Sequence, residues 1–205
     1  ANRLWEIIQE SNCYIDLHCM EGPSVPWTIV RGPEAGIVVD RTLEVANAFG
    51  LPVTRPSPET RKRRPNTTAD WAMSHGIPSI IPELPFPSIF MDERSVEVGV
   101  RGVLNVMKLL GMIPGEPEKQ DLPIDVRGPI HTVMLAANRG GIVFPLCKLG
   151  ARVNEGDPLV KIMNVFGDEV ELVRAPKNGY LMSFPLNINQ IAGTGDFVAL
   201  LGYTA

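Results

Sequence analysis

The stretch CYIDLHCMEG, residues 13–22, decides how the first half of the chain reads. CYIDLH has the composition of a short buried strand, yet it ends on two polar side chains, Asp16 and His18, close to a turn. Residues two apart on a strand leave the same face, so Asp16 and His18 project together. Histidine is scarce here, with only His18, His75 and His131 in the whole chain.

Outward from that strand, helix and strand patterns alternate. RLWEIIQESN sets Leu4, Trp5, Ile7 and Ile8 at helical spacing. VVDRTLEVANAFG predicts a helix through Leu43, Val45, Ala46 and Phe49, with Gly50 as its C-cap. TTADWAMSHG predicts another, stopped by Gly76 and carrying His75 in its last turn. IPSIIPEL is an apolar strand in which Pro82 restricts pairing. DERSVEVGVRGVLNVMKLLG places Val96, Val100, Val103, Leu104, Met107 and Leu110 on one stripe, with Asp92 as N-cap and Gly111 just past the end. This alternation predicts an α/β layer with a parallel or mixed sheet over residues 1–112.

Residues 113–129, rich in Pro and charge, read as a linker. Over 130–205 the period changes. GGIVFPLCKLG, DPLVKIM, DEVELVRAP, NGYLMSF and DFVALLG are short strands between Gly, Asn and Asp turns, an all-β pattern. Gly156-Asp157 before PLVKI is echoed by Gly195-Asp196 before FVALL 39 residues on. Two such units predict a small barrel or sandwich of pseudo-twofold build.

Composition agrees with a folded protein, at 44% apolar and 20% charged residues. A net charge of −4 gives no electrostatic reason to bind nucleic acid. No apolar run approaches the roughly 18 residues that span a bilayer, and no signal-like segment is read at the start. Three cysteines do not make a disulfide framework and point to a reducing compartment, the cytoplasm. The chain starts at Ala1 inside a helical pattern, which reads as a cut or processed end.

The order RLWEII, IDLH, HGIPSIIPEL, GVRGVLNVMKLLG resembles the C-terminal part of the catalytic domain in the succinylglutamate desuccinylase/aspartoacylase family of zinc carboxypeptidase-like deacylases. GGIVFPLCKLGARVNEGDPLVKI, VRAPKNGYL and GTGDFVALLG resemble the β domain that follows it, so the likeness covers nearly the whole chain. The resemblance implies hydrolysis of the amide bond of a small N-acyl amino acid or related compound, with one Zn²⁺ per complete site. In it, the histidine closing the DLH strand is a zinc ligand, a role that falls on His18. Asp16 could accept the other imidazole N–H and fix the tautomer. The glutamate ending the SIIPEL strand is the general base, a role that falls on Glu83.

Each assignment has a plainer rival: a hydrogen-bonded histidine beside a structural aspartate for His18, and a loop-capping carboxylate for Glu83. The arginine and lysine run at 61–64 suits an acidic substrate or a solvated loop. Cys13 and Cys19 lack zinc-finger spacing and read as buried thiols. His131 has no role. HCME, residues 18–21, has His-x-x-Glu spacing within the third-ligand strand itself. The β half also resembles lipoyl or biotinyl carriers, but its tip NVFGDEVE holds no lysine, and Lys161 and Lys177 lie outside it. A non-catalytic structural or binding module is therefore the competing class.

The family's upstream His-x-x-Glu ligands and its substrate-carboxylate residues have no match in this chain. With a single imidazole on the DLH strand, the isolated chain is expected to hold zinc loosely or not at all. The strands at 13–18 and 78–84 are expected to lack neighbours. The chain is therefore expected to associate with the missing N-terminal half of the domain or with copies of itself.

Overall fold

The structure is a computed structural model that describes residues 2–20, 22–32, 36–56, 67–85, 93–122, 130–184 and 190–204. In the first half, α1 (Asn2–Ile8), α2 (Ile37–Phe49), α3 (Thr68–Ser74) and α4 (Glu93–Leu109) surround a mixed sheet. Its strands are β1 (Tyr14–Ile15), β2 (His18–Cys19), β3 (Trp27–Ile29), β4 (Val53–Thr54) and β5 (Ser79–Leu84). β1 and β2 both pair in parallel with one side of β5, β3 lies antiparallel on its other side, and β4 runs parallel to β3.

Local chemistry sets the helix ends. Thr67 and Asp70 form a reciprocal capping box at the start of α3. Gly50 closes α2 at φ 91°, its N–H donating to the Ala46 carbonyl, a conformation that costs glycine little. Gly111 follows α4 at φ 69°. The proposed N-cap Asp92 lies outside the described residues.

Three expectations change. β5 is central, flanked on both sides, although it contains Pro82. The strand read over 13–18 is two short pieces, β1 and β2, with a gap at Asp16-Leu17. Most of the apolar stripe of α4 does not face the core: Val96, Val100, Leu104 and Leu110 are exposed, Val103 is partly buried against the core, and the helix packs chiefly through Ser95, Val98, Gly99, Gly102, Asn105 and Val106. Small residues on that side let α4 approach closely. A Cβ on Gly102 would stand 2.3 Å from the Phe49 ring. Strands β3 and β4 were not anticipated, being shorter than a periodic pattern can reveal.

Residues 113–122, read as linker, are tied to the helices. Asn105 bonds Glu118 through both its amide atoms, and the buried Gln120 amide donates to the Phe49 carbonyl.

The second half holds two four-stranded antiparallel sheets. One is β10 (Glu169–Arg174), β9 (Pro158–Met163), β7 (Gly141–Pro145), β12 (Ile191–Ala192) in spatial order; the other is β6 (His131–Ala136), β13 (Phe197–Tyr203), β11 (Gly179–Ser183), β8 (Arg152–Val153). They share one core, with Val143, Leu159, Val160, Ile162, Leu181, Val198 and Leu201 fully or almost fully buried. The Gly-Asp repeat reappears as matched turns. Asp157 accepts from the Asn154 N–H at 2.7 Å, and Asp196 from the Gly193 N–H at 2.8 Å, with Gly156 at φ 87° and Gly195 at φ 92°. Across each turn an alanine completes the pattern: Ala175 bonds Asp157 and Gly156, and Ala137 bonds Asp196 and Gly195.

The halves are joined by main-chain bonds and a shared apolar cluster. Val25 N–H donates to Met182 O, Phe184 N–H to Pro23 O, and Ile130 N–H to Val53 O. Trp27 and Val25 pack with Ile130, Met182 and Leu200. Among the described residues no helix is long and apolar enough to cross a membrane.

Candidate functional site

The gap between β1 and β2 has a chemical cause. On β1, Tyr14 N–H donates to Pro78 O and Asp16 N–H to Ile80 O. The next bond of a parallel ladder would run from residue 82 to the Asp16 carbonyl, but proline has no N–H. The ladder lapses there and resumes with His18 opposite Glu83 and Cys19 opposite Leu84. Register is the same before and after the gap, so the alternation of faces is kept.

That alternation divides the sheet. Cys13, Ile15, Ile80 and Leu84 pack among the helices with Val45, Phe49, Val98 and Val106. Tyr14, Asp16 and His18 take the opposite face, as does Glu83, which is paired in register with His18 on one side and Trp27 on the other.

On this face the polar residues form a chain. The Tyr14 ring packs beside Ile8, Ala72 and Ile77, with its phenol near the Asp16 carboxylate. Burial first, then the Asp16 charge and hydrogen bond, raise the Tyr14 pKa, so the phenol stays protonated as donor. Asp16 Oδ1 lies 3.2 Å from His18 Nε2. An N–H on Nε2 would turn toward Asp16 and leave the lone pair on Nδ1, the tautomer that suits metal ligation. The His18 side chain is 51% exposed at the sheet edge, whereas Glu83 is only 8% exposed. The structure thus places His18, Asp16 and Glu83 on one face of the sheet and adds Tyr14, which sequence reading missed. Its signal was position alone: it is the next same-face residue before Asp16.

The remaining candidates lie elsewhere. Cys19 is exposed, not buried, while Cys13 and Cys147 are half-buried. Burial pushes the Cys13 thiol up to about 11. His75 caps α3, with Nδ1 2.8 Å from the Trp71 carbonyl and its ring 4.8 Å from Trp5 and 4.7 Å from Trp71. His131 opens β6 beside Tyr203. Residues 61–64 and Glu21 of HCME lie outside the described residues. Arg31, also unforeseen, is buried just past β3 and donates through Nε to Asp70 at 2.8 Å. Among the described residues no group of three or more His, Cys, Asp or Glu side chains could hold a metal ion.

An exposed imidazole 3.2 Å from one carboxylate, on the same face as a second and buried one, thus stands at the edge of a mixed sheet. No family model and no curated protein matches the sequence. Solved structures do match. A succinylglutamate desuccinylase/aspartoacylase from Rhodobacter sphaeroides is 24% identical, with a TM-score of 0.80 over 97% of this chain and 60% of its own. The product-bound ectoine utilization protein EutE (DoeB) from Ruegeria pomeroyi gives 19% and 0.79, over 97% and 62%. A succinylglutamate desuccinylase from a Silicibacter species gives 18% and 0.78, over 97% and 60%. The chain has the mixed α/β fold of these proteins and spans about three fifths of their length.

Proposed function

We propose that this chain belongs to a cytoplasmic zinc-dependent deacylase that hydrolyses the amide bond of a small N-acyl amino acid or related compound. The observation that carries the reading is the register of His18 against Glu83 with Asp16 on His18 Nε2. An imidazole nitrogen is a donor type that Zn²⁺ accepts, so His18 would supply one ligand through Nδ1, and the other ligands would come from outside the described residues. When bound, Zn²⁺ supplies Lewis acidity toward water and the amide carbonyl.

The chain's own groups have distinct tasks. Glu83 takes a proton from the attacking water and delivers it to the leaving amine nitrogen. Asp16 holds His18 in one tautomer, and Tyr14 holds Asp16. The β half anchors residues 23–25, which follow the His18 strand, and so shapes one wall of the site. It carries no prosthetic group in this reading; intact mass of the native protein, free of lipoyl or biotinyl addition, checks that.

The remaining ligands and the substrate-carboxylate contacts are proposed to arrive with polypeptide that covers the β1/β2 edge and the exposed stripe of α4. Both surfaces are open among the described residues, and the chain is shorter than its structural neighbours.

The test is a panel of N-acyl amino acids with and without added Zn²⁺, run on the native protein and on Glu83→Ala. Metal-dependent release of the free amino acid, lost in the variant, supports the reading. The rival class, a non-catalytic module, is favoured by the lone histidine at the site and expects no hydrolysis of any member of the panel.

A further inference from the structure

The outer face of the β12-β7-β9-β10 sheet is apolar where solvent-facing strand positions are normally polar. Val143, Val160, Ile162 and Val173 fill the inner face. On the outer face, register lines up Ile191, Ile142 and Met163 in one row and Phe144, Lys161 and Leu172 in the next. Ile191 is 61% exposed, Phe144 40% and Ile142 36%. A contiguous patch of this kind marks an interaction surface. The α4 stripe belongs with the association proposed above, but nothing in that association reaches this face.

Two charges break the patch, and their placement points to the occupant. Lys161 sits opposite Leu172 and, across the β-bulge between Glu169 and Glu171, Glu169 sits opposite Met163, so the four residues form one widened β9-β10 cell with the charges on one diagonal. Among the described residues neither charge makes an ion pair; the Lys161 ammonium rests 5.8 Å from the centre of the Phe144 ring.

We infer that this face is a self-complementary interface that binds a second copy of the same chain. Two identical faces meet about a twofold axis lying in the plane between them, which reflects one map onto the other. An axis along the Met163–Leu172 diagonal sets Lys161 against the partner's Glu169 and Glu169 against the partner's Lys161. Met163 and Leu172 then each meet their own counterpart, and the flanking isoleucines and Phe144 extend the apolar contact. An unrelated partner has no need of this mirrored arrangement, whereas a second copy does.

The experiment is sedimentation equilibrium on the 205-residue chain and four variants. The native chain should dimerise, and Phe144→Glu should leave a monomer with unchanged far-ultraviolet circular dichroism. Lys161→Glu and Glu169→Lys alone should each weaken the dimer by at least about tenfold, since each sets like charges face to face. The double exchange should restore it. A native monomer at concentrations up to the solubility limit overturns the proposal. So does a dimer indifferent to Phe144→Glu, or a double exchange no better than the single ones. These residues lie apart from the proposed site, so hydrolytic activity and dimer formation can fail separately.

Discussion

His18 and Glu83 stand directly opposite each other across the parallel β2-β5 pair, so their side chains leave the sheet on the same side. Their surroundings differ, one at the edge and half exposed, the other nearly enclosed. That difference separates their expected phenotypes. In the complete zinc-loaded enzyme, His18→Ala should lose the metal. Glu83→Gln should keep it and lower kcat by about 10²–10⁴-fold, the usual worth of a positioned base. Metal analysis beside steady-state kinetics distinguishes them. Native turnover in Glu83→Gln would remove the general-base assignment.

In the proposed reading Tyr14 and Asp16 act through His18, so their effect should be on metal affinity and imidazole state. Asp16→Asn and Tyr14→Phe should weaken zinc binding about 10–100-fold, with Asp16→Asn the larger effect. Independent of metal, ¹⁵N shifts of the His18 ring should show Nε2–H in the native chain and a mixture in Asp16→Asn. The raised Tyr14 pKa has its own consequence. Folding favours the neutral phenol, so the contribution is present below the ordinary tyrosine pKa of about 10 and is lost as pH rises through the folded value. Ultraviolet titration should find Tyr14 ionising at higher pH in the native chain than in Asp16→Asn. A fixed tautomer in both variants would show that the relay does not orient His18.

The shared face was legible because its logic is periodic: Asp16 and His18 share parity, and parity survives even a broken strand. Pro82 was legible as an obstacle, but not in its effect. A sequence does not say which neighbour lacks a donor, and the missing N–H interrupts β1/β2 while leaving β5 central. The α4 stripe misled for a related reason. Helical spacing identifies an apolar face, not the face that packs, and Gly99, Gly102 and Ser95 carry no hydropathy signal. The Gly-Asp turns were readable because a short motif needing φ > 0 recurs 39 residues on, each time before an apolar run.

Gly102 offers a direct check on that close approach. Alanine would gain up to about 1 kcal/mol of helix propensity, but its Cβ meets the fully buried Phe49 ring at 2.3 Å. Overpacking a fixed ring costs about 1–3 kcal/mol, so Gly102→Ala should be destabilising in urea titration. Val100→Ala, on the exposed stripe of the same helix, should change stability by less than about 0.5 kcal/mol in the 205-residue chain. A stabilised Gly102→Ala would mean that α4 and α2 sit farther apart.

The three thiols should separate by reactivity. Cys19 is exposed, burial raises Cys13 to about 11, and Cys147 is raised by burial and then by the Asp157 charge. Thiolate is the reactive form, so at pH 8 a disulfide reagent should label Cys19 first and Cys13 only on unfolding. Cys147, half-buried, should react in the native state but more slowly than Cys19, and peptide mapping of the labelled chain reads the order. Early modification of Cys13 would place it on the surface instead of among the helices.

The two Gly-Asp turns make the last prediction. In each, a carboxylate oxygen accepts the N–H three residues earlier, the glycine between them takes positive φ, and an alanine from another strand closes the turn. The turns share none of these partners. Asp157→Ala and Asp196→Ala should therefore each cost about 1–2 kcal/mol, the range for a hydrogen bond to a charged acceptor at the lower end. Together they should add to within about 0.5 kcal/mol. Because Asp157 also faces Cys147, only Asp157→Ala should lower the Cys147 pKa and quicken its labelling in the native state. Unequal costs, with one turn indifferent to loss of its carboxylate, would show that the repeat in sequence and backbone is not a repeat in energetics.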